Sequence, residues 1–361
     1  MEQTIESVST VEALLQKRPL IISGPCSAET EEQVVNTATR LAATGKVDIL
    51  RAGIWKPRTR PGSFEGIGTK GLPWLQAAKK ASGLPVAVEV ATAKQVEDAL
   101  HFGVDVLWIG ARTTVNPFSV QDVADALRGV DVPVLIKNPI NPDLELWIGA
   151  MERVQKAGIK NVGLIHRGFS SYGNTEYRNA PMWHLAIEMK RRYPGIPMIN
   201  DPSHICGRRD ILQEVAQQAI DLDFDGLIIE SHIDPDNAWS DAKQQITPEV
   251  LKTMLEAIRW RKEDVASAEY HAALEKLRQQ INQLDDELLQ VLSTRMKVAE
   301  KIGEYKKNND ITILQTNRWN EILERAVGKG SKVGLSEDFI TKYMDAVHME
   351  SINHQNKIMN S

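Results

Sequence analysis

Cys26 and Cys206 are the only cysteines in the chain, so no disulfide framework can hold it together and a reducing cytoplasm is the expected setting. No charged-then-apolar leader opens it. No apolar run approaches the ~20 residues a membrane span requires, and neither low-complexity segments nor close internal repeats occur. A basic excess is also missing: the formal net charge is -5, which argues against a nucleic-acid surface. The remaining composition, 42% hydrophobic and 25% charged over 361 residues, exceeds one ordinary domain.

Short β-branched runs bounded by turn residues predict strands at Leu20 to Ser27, Val47 to Gly53, Pro85 to Ala91, Val104 to Ala111, Pro133 to Asn138, Asn161 to Gly168, Pro197 to Ser203 and Gly226 to His232. Ala-, Glu-, Lys- and Gln-rich amphipathic segments fill most of the gaps. Continuously apolar strands alternating with helices imply a covered parallel sheet, and eight such units imply a closed (β/α)8 TIM barrel. An open doubly wound sheet is the alternative.

Reactive residues fall at the carboxyl end of nearly every expected strand. They are Cys26; Arg51 with Lys56 and Arg58; Glu89; Arg112; Lys137; His166 with Arg167; His204; and Glu230 with His232. In such barrels the strand ends form the active mouth, so one convergent site accounts for them better than scatter does. Arg51, Lys56, Arg112, Lys137 and Arg167 suit a small ligand bearing phosphate and carboxylate, and Arg58 with Thr59 suits a second phosphate. A solvated basic loop is the plainer reading of Arg51 to Thr59. Cys26, His204, Glu230 and Asp241 offer a thiolate, an imidazole and two carboxylates, a set suited to divalent Mn, Fe, Co or Zn. Their spacing is no metal motif, and Cys26 as an ordinary core cysteine stays open.

Thr247-Pro248 opens a helix expected to run to about Arg261 and close the barrel. Beyond it strand signals end, and residues 1–262 and 263–361 read as separate barrel and three-helix domains. Leu274, Ile281, Leu288, Arg295 and Ile302 recur at one spacing, as do Leu277, Leu284, Val291, Val298 and Tyr305. Together they predict one helix of roughly 40 residues with an apolar seam, too extended to bury itself alone. Arg295 interrupts that seam, and a guanidinium there needs an anion: a ligand carboxylate, or a core Asp or Glu. Helices at about Leu314 to Val327 and Ser336 to Lys357 complete the domain, the last N-capped by Ser336.

The motifs Gly24-Pro25-Cys26-Ser27, Lys56-Pro57-Arg58-Thr59, Ile109-Gly110-Ala111-Arg112, Ile136-Lys137-Asn138, His166-Arg167-Gly168, Asp201-Pro202-Ser203-His204 and Ile229-Glu230-Ser231-His232 together resemble the 3-deoxy-D-arabino-heptulosonate 7-phosphate synthases, in their compact subclass. The resemblance implies a condensation of phosphoenolpyruvate with erythrose 4-phosphate. Arg112, Lys137 and Arg167 would hold the phosphoenolpyruvate phosphate, with Arg51 and Lys56 near its carboxylate and His166 beside them. Arg58 and Thr59 would take the aldose phosphate, Cys26, His204, Glu230 and Asp241 the metal, and Lys56 would move protons. The sister eight-carbon sugar phosphate synthases would carry an Ala-Asn-Arg type loop in place of Pro57-Arg58-Thr59. A Schiff-base aldolase using Lys137 would leave the metal-type ligands idle.

The tail resembles the all-α chorismate mutases through Leu277-Arg278, Leu284-Asp285, Leu288-Leu289, Arg295, Lys306, Arg318 and Gln355. That resemblance implies an intertwined homodimer in which Arg278 reaches the partner's site, and rearrangement of chorismate to prephenate. Arg278, Arg295 and Arg318 would clamp the two carboxylates, while Lys306 and Gln355 would meet the ether oxygen. The chain departs from the family where an Asp and a Glu are expected near the substrate hydroxyl: it has Gln315 and Trp319. The alternative is a monofunctional synthase whose helical domain senses a ligand and dimerises. A pathway product bound there, chorismate or prephenate, is expected to inhibit the barrel.

Overall fold

The computed structural model describes residues 15–57, 62, 64–173, 176–262 and 264–360. The chain divides into two compact units, Met1–Glu263 and Asp264–Ser361. The first is a closed barrel of eight parallel strands in sequential order: β1 (Leu20–Gly24), β2 (Ile49–Arg51), β3 (Val86–Val90), β4 (Val106–Ile109), β5 (Val134–Lys137), β6 (Val162–His166), β7 (Met198–Asn200) and β8 (Gly226–Glu230). Pairing of Leu20 with Gly226 through Gly24 with Glu230 closes the ring. The open-sheet alternative is excluded.

Each strand is shorter than its expected run, β1 and β8 at the carboxyl end and β2 to β7 at both ends. β1 ends at Gly24, where a Cβ would lie 2.0 Å from the Arg51 carbonyl oxygen. Only glycine allows β1 and β2 to approach there, and that approach delivers Cys26 beside Arg51. Inward-facing Leu20, Ile22, Ile49, Ala87, Val106, Trp108, Leu135, Ile165, Ile199 and Ile228 form one core inside the barrel. A second core lies between the strands and the helices outside them.

The helices of the barrel unit are α1 (Glu31–Ala43), α2 (Leu72–Ser82), α3 (Ala93–His101), the short α4 (Ala111–Thr114), α5 (Pro117–Ala126), α6 (Leu144–Lys156), α7 (Trp183–Arg192), the short α8 (Pro202–Cys206), α9 (Leu212–Asp221) and α10 (Pro248–Ala257). Side-chain caps start α1 at Thr30, α3 at Thr92, α6 at Asp143 and α10 at Thr247, each satisfying an orphan amide of the first turn. The end of α10 is a correction: it stops at Ala257, not Arg261, because Ile258 is extended.

The second unit contains α11 (Ala268–Lys307), α12 (Thr316–Gly330) and α13 (Glu337–Met359). Ser267 and Ser336 cap α11 and α13 through their hydroxyls. Met296, Ala299 and Gly303 on α11 and Ile340, Val347, Ser351 and Gln355 on α13 are its buried residues. The rest of the α11 seam is open, with Leu277, Ile281, Leu284, Leu288, Val291 and Val298 all exposed. No helix among the described residues is long and apolar enough to cross a membrane.

Candidate active sites

Barrel closure brings Cys26 on the β1 loop, Glu230 at the end of β8 and Asp241 on the loop after it into one cluster, their ligand atoms within 4.8 Å of one another. His204 lies on α8, one step beyond β7, and its Nε2 is 3.7 Å from Glu230 Oε1. Asp201, which also caps α8, faces His204 Nδ1 at 2.8 Å. A carboxylate on that side fixes the proton at Nδ1 and leaves the Nε2 lone pair facing the cluster. Asp241 sits in the left-handed region at φ 49°, an unfavourable backbone for a non-glycine residue.

The donor set passes a test independent of any family. Glu230 Oε1 is buried and makes no hydrogen bond, its ion-pair partner being Arg51 Nη1 at 3.2 Å, and burial, then the Glu230 charge, pushes the Cys26 thiol up to about 12. A buried carboxylate oxygen without a hydrogen bond, beside a thiol and a lone-pair nitrogen, is a donor set that suits a borderline divalent cation. Burial opposes ionisation of Asp241, but Arg178, His204 and Lys56 outweigh it and hold its carboxyl below the usual range.

The cations surround this cluster. Lys56 Nζ donates to Cys26 Sγ at 2.6 Å and to its carbonyl at 2.8 Å. Arg51, nearly fully buried, donates to the Cys26 carbonyl at 3.1 Å and pairs with Glu230 at 3.2 Å, yet its Nε and Nη1 make no hydrogen bond. Its guanidinium lies 5.0 Å over the buried Trp108 ring, with Lys137 Nζ 5.9 Å from the same ring. Trp108 therefore spaces two cations, and Glu89 holds its indole N–H at 3.1 Å. Lys137 donates to Asp201 at 2.9 Å.

Arg167 donates to Asn179 at 2.8 Å, and its own amide donates to Asn138. Burial lowers its guanidinium to about 10, opposed by Asp201 and reinforced by Arg178 and Arg112. Arg112 is exposed on α4. Arg58 and Thr59 lie outside the described residues.

His166 requires a correction. It is fully buried, its Nε2 donates to the Pro181 carbonyl at 2.7 Å, and its Nδ1 accepts from Asn200 at 3.1 Å. Phe169, Trp183 and Phe224 surround the ring. Burial pushes its pKa down to about 4. Both nitrogens are engaged inside the barrel wall, the arrangement of a satisfied core histidine rather than of a free ligand-binding side chain.

Several groups escaped the sequence reading. Asp201 links Lys137 to His204; Gln244 donates to Glu230 at 2.7 Å and accepts from Arg178 at 2.6 Å; Gln245 accepts from the Cys26 amide at 2.8 Å. A lysine inside a strand does demand a counter-anion, so Asp201 left a signal. Two consecutive glutamines in a loop left none.

In the helical unit a cavity of about 450 Å³ is lined by Arg295, Lys306, Gln315, Arg318, Trp319, His348, Ser351 and Gln355. Arg295 donates to Ser351 Oγ, and among the described residues it has no carboxylate partner within ion-pair distance, which removes the internal salt-bridge alternative. Lys306 donates to the Ile313 carbonyl, and burial lowers its pKa. Gln355 donates to the Ser351 carbonyl at 3.3 Å, leaving Oε1 unpartnered. Arg318 pairs with Glu321 at 2.8 Å. Arg278 is exposed on α11 and does not line this cavity.

The fold and its mouth thus define a (β/α)8 barrel enzyme for a small anionic substrate, joined to a helical unit with its own cationic pocket. Residues 5–267 match the DAHP synthetase I family, and residues 277–356 match chorismate mutase type II. The chain belongs to the DAHP synthetase I family and carries a chorismate mutase domain, making it a bifunctional shikimate-pathway enzyme, transferase and isomerase. A phospho-2-dehydro-3-deoxyheptonate aldolase of Thermotoga maritima is 32% identical over 239 residues, 66% of this chain and 68% of the relative. A 2-dehydro-3-deoxyphosphooctonate aldolase of Geotalea daltonii is 28% identical over 264 residues, 67% of this chain and 92% of the relative. The crystal structure of a Thermotoga maritima DAHP synthase matches with TM-score 0.58 at 32% identity, covering 66% of this chain and 67% of that one.

Proposed function

We propose that the barrel condenses phosphoenolpyruvate with erythrose 4-phosphate in the cytoplasm with the help of a divalent Mn, Fe, Co or Zn type ion held by Cys26, His204, Glu230 and Asp241. The observation that carries this is the convergence of the Cys26, Glu230 and Asp241 ligand atoms within 4.8 Å of one another. Such an ion would supply Lewis-acid polarisation of the aldose carbonyl. Everything else belongs to the protein. Lys137, Arg167 and Arg112 hold the phosphate of phosphoenolpyruvate, and Arg51, whose Nε makes no hydrogen bond, receives its carboxylate. Lys56, whose ammonium reaches both Cys26 atoms, moves the proton at the reacting centre. Arg58 and Thr59 receive the aldose phosphate.

The helical unit rearranges chorismate to prephenate by charge placement. Arg295 and Arg318 clamp carboxylates, and Lys306 with the second amide hydrogen of Gln355 meets the ether oxygen as charge develops there. The exposed seam of α11 is covered by a second copy, which also supplies Arg278; the exposure of Leu277, Ile281, Leu284 and Leu288 supports this. Chorismate or prephenate bound in the helical unit inhibits the barrel.

The test is to assay both reactions on one purified sample with and without metal, and to titrate prephenate against the synthase rate. Metal-restored synthase turnover, mutase turnover and inhibition by prephenate are the expected results. Inhibition without mutase turnover leaves the helical unit as a sensor only, the alternative that Gln315 and Trp319 leave open. Unchanged synthase rate at saturating prephenate removes the regulatory claim.

A further inference from the structure

The pocket of the helical unit lacks the carboxylates that its family would place near the substrate hydroxyl. Gln315 is exposed, and Trp319 has no acceptor atom. Instead the Trp319 indole stacks on the His348 imidazole of α13, ring centroids 4.1 Å apart and planes 16° from parallel. His348 lines the same cavity as Arg295, Lys306 and Gln355. Among the described residues of this unit, two buried side-chain polar atoms make no hydrogen bond: Gln355 Oε1 and His348 Nε2. A ring held by stacking, with one nitrogen buried and unsatisfied, is a polar group kept in place for a partner the protein does not supply.

We infer that His348, braced by Trp319, is the residue that hydrogen-bonds the ring hydroxyl of the substrate in the helical pocket. This rests on the reading of that pocket as a chorismate mutase site. The cations account for two carboxylates and Lys306 with Gln355 accounts for the ether oxygen, so the hydroxyl is the remaining polar feature and His348 the remaining unsatisfied ring. No atom is transferred to His348: the ether C–O bond breaks and the new C–C bond forms within the substrate, while the imidazole fixes the ring. Its surroundings keep it neutral. Burial lowers its pKa, Arg295 and Lys306 of α11 add to that, and Asp345 on its own helix opposes it. Arg318 and Arg325 of α12 also line the cavity. A neutral imidazole offers one lone pair and one N–H, either of which a hydroxyl can engage, and adds no charge to a pocket already cationic.

The experiment compares two bicyclic ether dicarboxylates that mimic the folded substrate, one with the ring hydroxyl and one without it, by calorimetric titration of the full-length protein. Wild type should prefer the hydroxylated compound by about tenfold. His348→Phe, which keeps the stacked ring but removes the nitrogens, should bind both equally and lose a similar factor in mutase kcat/KM. His348→Gln, which retains donor and acceptor, should recover part of the preference. Undiminished discrimination in His348→Phe with wild-type helix content overturns the inference while leaving the mutase reading intact. Failure of wild type to bind either compound overturns that reading, and this inference with it.

Discussion

Asp201 and Lys137 form a buried ion pair across the barrel mouth, Oδ2 to Nζ 2.9 Å, with both side chains almost wholly removed from water. The same carboxylate faces His204 Nδ1 at 2.8 Å, so one anion orients both a substrate cation and a metal-type ligand. Burial opposes its ionisation, but His204 and Lys137 outweigh that and hold the carboxyl well below its usual range. Asp201→Asn should weaken metal binding by roughly 10–100-fold and also raise the KM for phosphoenolpyruvate. Metal titration monitored by a competing chelator checks the first effect, and wild-type metal affinity in the variant would dismiss the linkage.

Cys26→Ala removes a donor that is fully buried and lies 3.3 Å from Asp241. The expected outcome is loss of bound divalent metal and of synthase turnover, with mutase turnover unchanged. Elemental analysis beside the two assays decides it. A variant that still condenses the substrates when metal-free would remove the metal from the reaction.

Arg295→Ala and Lys306→Ala should each cost the mutase reaction roughly 3 kcal/mol, about two orders of magnitude in kcat/KM, because each faces the helical cavity as a cation. Neither residue belongs to the barrel cluster, so the synthase rate stays. Near wild-type mutase rates in both variants would dismantle the proposed site.

His166 makes stability depend on pH. Its ordinary value is 6.5 and burial lowers it to about 4 in the folded barrel, so its neutral form stabilises the fold in full above pH 6.5. As pH falls from 6.5 to 4 the unfolded chain takes up a proton that the native one refuses, and stability drops by up to roughly 3 kcal/mol. Urea denaturation of wild type and His166→Gln at several pH values separates this from other groups. The difference between the two proteins should shrink toward pH 4, and a constant difference counts against the assignment.

Leu284→Glu places a charge in the centre of the open α11 seam, where Leu284 is 62% exposed in the single chain. Helix content should therefore survive while self-association is lost, as read by circular dichroism and sedimentation equilibrium. Mutase turnover should fall with it, since Arg278 would no longer be supplied by a partner. An unchanged sedimentation profile would place any dimer contact elsewhere.

What the sequence by itself determined is what depends on neighbours along the chain. Alternating apolar strands and amphipathic helices specified eight β/α units, the seam specified one helix of roughly 40 residues, found at Ala268–Lys307, and Thr247 and Ser336 specified where helices begin, because periodicity and capping are local physics. The position of Cys26, Lys137 and Glu230 near strand ends was legible for the same reason. Only the tertiary structure decided which polar atoms meet. It turned His166 inward, where two internal hydrogen bonds engage both ring nitrogens, and it made Asp201 the shared partner of Lys137 and His204. It also placed Gln244 between Glu230 and Arg178 and stacked Trp319 on His348. A buried polar atom is satisfied by whatever group the packing brings within about 3 Å, and residues far apart in sequence compete for that place with no periodicity to reveal the outcome.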